Sequence, residues 1–411
     1  MKQKRSVKKL RTHAGNFLFL FPAMLLYCFV VLVPFIQGIP YSFTNRASVV
    51  SQSYDFVGLR NYMELITNKY FQQAFFHTVQ FTVIYVIGAN VLGLALALML
   101  SRSSRFNNLA RTIMFIPFTV ALTSGAIVWS YVFTDVYSPL FQKMSPLGLS
   151  SQVVPAMAII AIWRDMGYCM LIYLAGLQSI SGEYYEAAKV DGATWWQRTR
   201  LITFPLILPA IVSNVTLLIA WGLKCFDYPM AVARNMEAAQ TVSMYVYDYI
   251  FGFNKAGIGQ AAAIIITVVL VVITQCITSI GSIMGTTKKR HLLSVIQKVL
   301  ITCVMLVVIS PFYISIVYAL KNKNDLTINR LAWPTHPTLM NFQRVITEND
   351  QFLTGYKNSI LTTVPIVVLL MLITSMAAYV LARYTTRVYK WIYLIFISGM
   401  LIPIQCIMLP F

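Results

Sequence analysis

EYYEAAKVDGATWWQRTR, residues 183–200, is a polar island between two apolar runs, one ending near Gln178 and the next beginning near Ile202. Acidic at its start, basic at its end and divided by a glycine, it reads as helix, turn, helix. Helical spacing puts Tyr184, Ala187 and Ala188 on one face, with Glu183 and Glu186 beside it. The small Ala187 and Ala188 let another surface approach closely. Asp191-Gly192 is a turn or helix-stop signal. Trp195 and Trp196 restart an amphipathic turn, with Arg198 and Arg200 toward lipid headgroups or a partner. Pro205 and Pro209 open the next apolar run, where a missing N–H costs little. Such an element suits docking to a partner; the bland alternative is an interfacial loop that only links two spans.

The rest of the chain supplies the context. Of its 411 residues 58% are hydrophobic and 11% charged, against roughly 25% charged in soluble proteins. So few charges cannot cover a water-soluble globule of this size. The apolar runs are about 20 residues long and do not alternate, so the expectation is an all-α integral membrane protein rather than a barrel. The net charge of +19 is read as the positive-inside bias rather than as a nucleic-acid surface. Six scattered cysteines without C-x-x-C spacing and four dispersed histidines support neither a metal site nor a disulfide framework. The basic head KQKRSVKKLR precedes an apolar run too long for a signal peptide, so that run reads as a retained anchor.

Runs long enough to span fall at about 17–40, 77–100, 111–133, 153–178, 202–223, 261–284, 294–320, 359–382 and 391–409. They predict a polytopic bundle of about nine transmembrane helices. With the N-terminus inside, the inside segments hold 19 of the lysines and arginines and the outside segments 12, with Arg164 inside a span. That bias places residues 183–200 in the cytoplasm. Gly285–Leu292 (GTTKKRHL) is a polar joint, after which the chain restarts with a basic head and a new span. The expected organisation is therefore a six-span domain over 1–285 and a related, truncated domain of about three spans over 286–411.

Glu186-Ala187-Ala188, three residues, Gly192, nine residues, Ile202, one residue, then Phe204-Pro205 resembles the EAA signature of bacterial ABC importer permeases. Asp191 and Ala193 match its extended form; Phe204 stands where leucine is usual, and Thr199 where many carbohydrate-class members carry phenylalanine. IWRDMGYCMLIYLAGLQSI (162–180) and FVGLRNYMEL (56–65) resemble the maltose-type subunit of the carbohydrate-uptake class. WPTHPTLMNFQRVI (333–346), NSILTTV (358–364), AAYVLARY (377–384) and LIPIQCIMLPF (401–411) resemble the first three spans of its partner-type subunit. A second signature loop would then fall beyond Phe411.

The resemblance implies a type I ABC importer permease fold in a bacterial plasma membrane, as the permease subunit of a solute-binding-protein-dependent sugar importer. In that family the signature loop forms a coupling helix seated in a groove of a cytoplasmic ATPase. Glu186, Ala187, Ala188, Asp191, Gly192, Ala193, Ile202 and Pro205 are its coupling residues by this resemblance, with Glu186 as the charged contact and Gly192 as the turn. Implied partners are an ATPase dimer, a second permease subunit and an extracellular sugar-binding protein, with ATP and magnesium on the ATPase and no cofactor on this chain. The sequence has no G-x-x-x-x-G-K-[ST] phosphate loop, so this subunit is not expected to be an enzyme.

Charged residues inside spans are costly and usually functional. Arg164 and Asp165 lie mid-span with Trp163 and Tyr168; hydrogen-bonding and aromatic side chains are the groups that recognise a sugar. Asn214, Trp221, Lys224 and Asp227 form a second candidate cluster on the next span. The competing readings are a structural Arg164–Asp165 pair, although sequence neighbours point apart on a helix, and interfacial anchoring by Lys224 and Asp227. Two other classes are weighed. A secondary transporter would need coupling carboxylates in its spans, and Asp165 alone qualifies clearly. An intramembrane enzyme would need a nucleophile–base or metal set that the spans do not offer.

Overall fold

The computed structural model describes residues 2–51, 53–281 and most of 306–407, with side chains described from Gly15 onward. The joint at Gly285–Leu292 lies outside the described residues, as does most of the seventh expected run. No β-strand occurs among the described residues.

In chain order the helices are α1 (Lys2–Tyr27), α2 (Val33–Tyr41), α3 (Arg60–Thr67), α4 (Lys69–Met99), α5 (Arg105–Phe115), α6 (Leu122–Tyr131), α7 (Ser138–Phe141) and α8 (Val153–Gln178). There follow α9 (Gly182–Val190), α10 (Trp195–Arg198), α11 (Phe204–Leu206), α12 (Leu208–Leu223), α13 (Asp227–Val232), α14 (Val242–Tyr247) and α15 (Ala256–Gly281). Beyond the joint lie helices at Pro311–Leu320, Met340–Thr347, Asp350–Arg383 and Arg387–Gly399. Caps start several of them. Asn68 accepts the amides of Tyr70 and Phe71 ahead of α4, and Ser104 accepts that of Asn107 at the head of α5.

Five of the described helices are long and apolar enough to cross a membrane, and seven segments qualify if each of two bent pairs counts once. Two of the expected spans are bent. The run at 111–133 bends by 102° between Thr119 and Leu122, and the run at 202–223 bends by 62° at Ile207. Proline explains both positions. Pro117 sits in a 3₁₀ turn at Ile116–Thr119, and Pro205 and Pro209 flank the break at Ile207. Each removes a donor and crowds the carbonyl four residues back.

Two compact units divide the chain. One comprises Met1–Asn61, Tyr249–Ile264 and His336–Phe411; the other comprises Tyr62–Asp248 and Ile265–Thr335. In the first, Leu20, Ala23, Ala377, Val380 and Tyr389 form a small core, and Asn16 Nδ2 donates to the Tyr389 hydroxyl at 3.1 Å. The second holds the main core around α4, α8 and α12. There glycines let backbones close up, as in helix pairs that pack in lipid. A Cβ on Gly167 would stand 1.9 Å from the Met114 carbonyl oxygen, and one on Gly93 would stand 2.6 Å from Cys169 Cβ.

Candidate functional site

Both sequence-derived candidate regions lie in the second unit. The first is a cavity of about 250 Å³ where α4, α8 and the bend before α6 meet the end of α12 and the start of α13. Its walls carry Tyr85, Phe118, Arg164, Asp165, Trp221 and the run Lys224–Tyr228.

The bend makes the Arg164 site. Pro117 and the 3₁₀ turn leave carbonyls without helical donors, and the Arg164 guanidinium reaches two of them, Phe118 O at 3.3 Å and Val120 O at 3.4 Å. It lies over the Phe118 ring, 4.9 Å from the centroid. Its Nη1 meets Asp165 Oδ1 at 2.6 Å. Adjacent residues on α8 therefore do pair, because the long arginine side chain swings back across the helix. The other carboxylate oxygen, Oδ2, accepts the Tyr85 hydroxyl from α4 at 2.5 Å. Asp165 is 2% exposed, so a carboxylate there needs such compensation.

Aromatic rings back this charged group. Phe118 stacks on Tyr168 at 4.6 Å and 20°, and Trp221 lies 5.6 Å from Tyr168 and 6.2 Å from Phe118. Arg164, Asp165, Trp221, Lys224 and Asp227 thus line one cavity, with Tyr168 stacked on one lining ring, Phe118, and tilted against another, Trp221. Trp163 and Asn214 lie outside the lining. The Trp163 indole packs against Trp129 and Phe312 and donates to the Val308 carbonyl at 3.1 Å. Asn214 is fully buried and donates to the Cys169 carbonyl at 3.2 Å. The sequence reading missed Tyr85 and Tyr228. Thr78, Thr82, Tyr85, Ala89 and Gly93, spaced by three and four residues and all buried, were the available signal for an inward face carrying Tyr85.

The second region is the polar island. Ser181 caps α9 by accepting the Glu183 amide, Glu183 sits in the first turn and Lys189 in the last, as the helix dipole favours. The helix then stops in a Schellman turn. Gly192 adopts φ +65°, its N–H bonds Lys189 O, and the Ala193 N–H bonds Ala188 O, each at 3.1 Å. One expectation changes here. Ala187 and Ala188 do not share a surface, since Ala188 is fully buried while Glu183, Tyr184, Glu186, Ala187 and Val190 are exposed. The outward face is therefore acidic and apolar together. Asp191 and Gly192 are exposed, Ala193 and Pro205 half-buried and Ile202 buried. After α10 the chain takes a π-helical turn at Thr199–Thr203 before α11. Among the described residues no group of three His, Cys, Asp or Glu side chains could hold a metal ion.

Comparison with known proteins decides the family. Residues 89–280, which contain the whole island and most of the cavity wall, match the model of the binding-protein-dependent transport system inner membrane component. The chain is 30% identical over 265 residues to a probable starch degradation products transport system permease, AmyD, of Thermoanaerobacterium thermosulfurigenes, covering 62% of this chain and 90% of that one. The chain belongs to this family. As a permease it also resembles a probable ABC transporter permease of Pyrococcus horikoshii, at 33% identity over 60% of this chain and 88% of that one. The trehalose/maltose permease MalF of Thermococcus litoralis is 27% identical, over 66% and 95%. In fold, the permease resembles a chain of a crystallised bacterial ABC transporter that imports alginate, with a TM-score of 0.59 at 22% identity over 68% of this chain and 98% of that one. That transporter is also solved with a periplasmic protein carrying an alginate pentasaccharide. The protein is thus a multi-pass membrane permease component of the sugar ABC importer family, a transport subunit rather than an enzyme.

Proposed function

We propose that the chain forms the translocation pathway of an ATP-driven sugar importer and receives the ATPase stroke on α9. The observation that carries this is the geometry of the polar island: a capped helix stopped by an αL glycine, with Glu183, Glu186, Tyr184 and Val190 exposed and Ala188 turned inward. A short helix with one face fixed to the bundle and an acidic, apolar face free suits a groove on a soluble ATPase. Glu186 makes the charged contact there, Ala187 permits close approach, and Asp191-Gly192-Ala193 set the turn, while Ile202 and Pro205 seat the following span. The N-terminus lies inside, about nine helices cross the membrane, and residues 286–411 form a second permease-like domain. ATP and magnesium reside on the ATPase dimer, and a second permease subunit and an extracellular sugar-binding protein complete the importer.

The solute passes the cavity beside Arg164 and Asp165. Arg164, Lys224, Asp165 and Asp227 on its walls balance formally, which with Phe118 and Trp221 favours an uncharged, hydroxyl-rich ligand over an acidic one. At about 250 Å³ it is smaller than the roughly 300–1,000 Å³ of typical ligand pockets, fitting a site that admits part of a saccharide at a time. An ion-coupled mechanism draws less support, because both oxygens of Asp165 are already engaged.

Glu186→Ala and Gly192→Pro should each abolish sugar uptake in cells while the chain still inserts in the membrane. Normal uptake by both variants would show that α9 is not the coupling helix.

A further inference from the structure

The covalent route from α9 to the long span α12 is poorly built for passing on a push. It runs through Gly192, an exposed turn where a Cβ would meet nothing within 4 Å, then the four-residue α10, then a π turn, then the 62° bend at Ile207. Each joint can absorb displacement. A shorter route crosses space. Tyr185, the residue before Glu186, brings its hydroxyl to 3.1 Å from Thr203 Oγ1, and Thr203 is the last residue of the π turn. Thr203 Oγ1 also donates to the Arg198 carbonyl at 3.2 Å. With that proton committed, the Thr203 oxygen accepts from Tyr185, giving a relay from Tyr185 to Thr203 to the backbone of Arg198. Thr203, Thr199 and Arg198 are all buried, so the far end is anchored in the bundle and the near end rides on the helix with the free face.

We propose that Tyr185 is a positioning residue: its hydrogen bond to Thr203 is the strut that carries movement of α9 to the end of the π turn and the base of α11, bypassing the Gly192 turn and α10 and leaving only the bend at Ile207 before α12. The proposal rests on the reading of α9 as the ATPase-coupling helix. It assigns separate duties to neighbours, Glu186 to docking and Tyr185 to transmission. π turns within helices recur at functional sites, and here the turn ends at Thr203, the residue that Tyr185 holds.

The test uses the whole complex, co-purified with its ATPase through a tag on this chain, and needs no knowledge of the sugar. Cys225 lines the cavity; with the other five cysteines replaced by serine, its labelling by N-ethylmaleimide is timed with and without ATP and vanadate. In the parent protein nucleotide changes the labelling rate. Loss of one neutral hydrogen bond shifts a two-state balance about fivefold, so Tyr185→Phe should shrink that nucleotide response about fivefold while ATPase association and ATP hydrolysis persist. Thr203→Val should do the same, Thr203→Ser should restore the response, and the Tyr185→Phe/Thr203→Val pair should be no worse than either change alone. A full response in Tyr185→Phe overturns the strut, as does a loss that merely tracks the amount of assembled complex. No nucleotide response in the parent protein, or unimpaired ATPase association in Glu186→Ala, instead overturns the coupling reading beneath it.

Discussion

At Asp165 one carboxylate oxygen receives Arg164 and the other receives Tyr85, so three side chains from two helices stand or fall together. Arg164→Ala would leave the buried carboxylate without its counter-charge, a loss of about 3–5 kcal/mol, and would also free the Phe118 and Val120 carbonyls at the bend. Tyr85→Phe removes only a hydrogen bond to a charged group, about 1.5–3 kcal/mol. The melting point in detergent should therefore drop for both, further for Arg164→Ala; melting points equal to the parent's in both variants would mean that the triad holds nothing. Solute affinity or specificity should shift in Arg164→Ala and Asp165→Ala, and unchanged uptake kinetics in both would remove them from the pathway. The sequence exposed Arg164 and Asp165 because charge is conspicuous in an apolar run. It did not separate Trp163 from them, since one helical step, about 100°, turns its indole to a different neighbour. Tyr85 escaped notice for a related reason: its partner lies 80 positions away, and pairing at that range is set by packing rather than by local pattern.

Among elements, the straight spans were legible from hydropathy alone, and the run at 153–178 coincides with α8. The bends were not. Pro117, Pro205 and Pro209 stood in view, but a proline can begin a helix, kink it or end it, and the choice is made by what donates to the freed carbonyls. At the bend after Pro117 that donor is Arg164, which is why a 102° bend persists in an apolar environment. Two glycines carry opposite burdens. Gly192 needs its positive φ, so Gly192→Ala should cost about 1–2 kcal/mol yet leave packing untouched, because no atom lies near. Gly167 needs its bareness, and Gly167→Ala would drive a methyl into the Met114 carbonyl and cost about 1–3 kcal/mol or more. Thermal unfolding of the two variants should rank Gly167→Ala as clearly the less stable; the reverse order would mean that α8 and α5 are not this close.

For the whole molecule, the family match covers residues 89–280 and the trehalose/maltose permease 66% of the chain; the inside and outside faces are the property to measure. Reporter fusions after residue 12 and after Ala193 should report the cytoplasm, and one after Lys143 the opposite side. One shared location for all three would refute the orientation drawn from the lysine and arginine bias. The π turn at Thr199–Thr203 also gives this stretch a residue to spare. It fits more residues into its turn than an α-helix does, so loss of a single codon there would regularise the helix and leave Tyr185 and Glu186 near their present angle against α12. The same loss inside α12 has no wide turn to absorb it and would rotate everything upstream by about 100°. An in-frame deletion of Leu201 should thus disturb uptake far less than a deletion of Val215, a difference that point substitutions at the same residues would not reproduce.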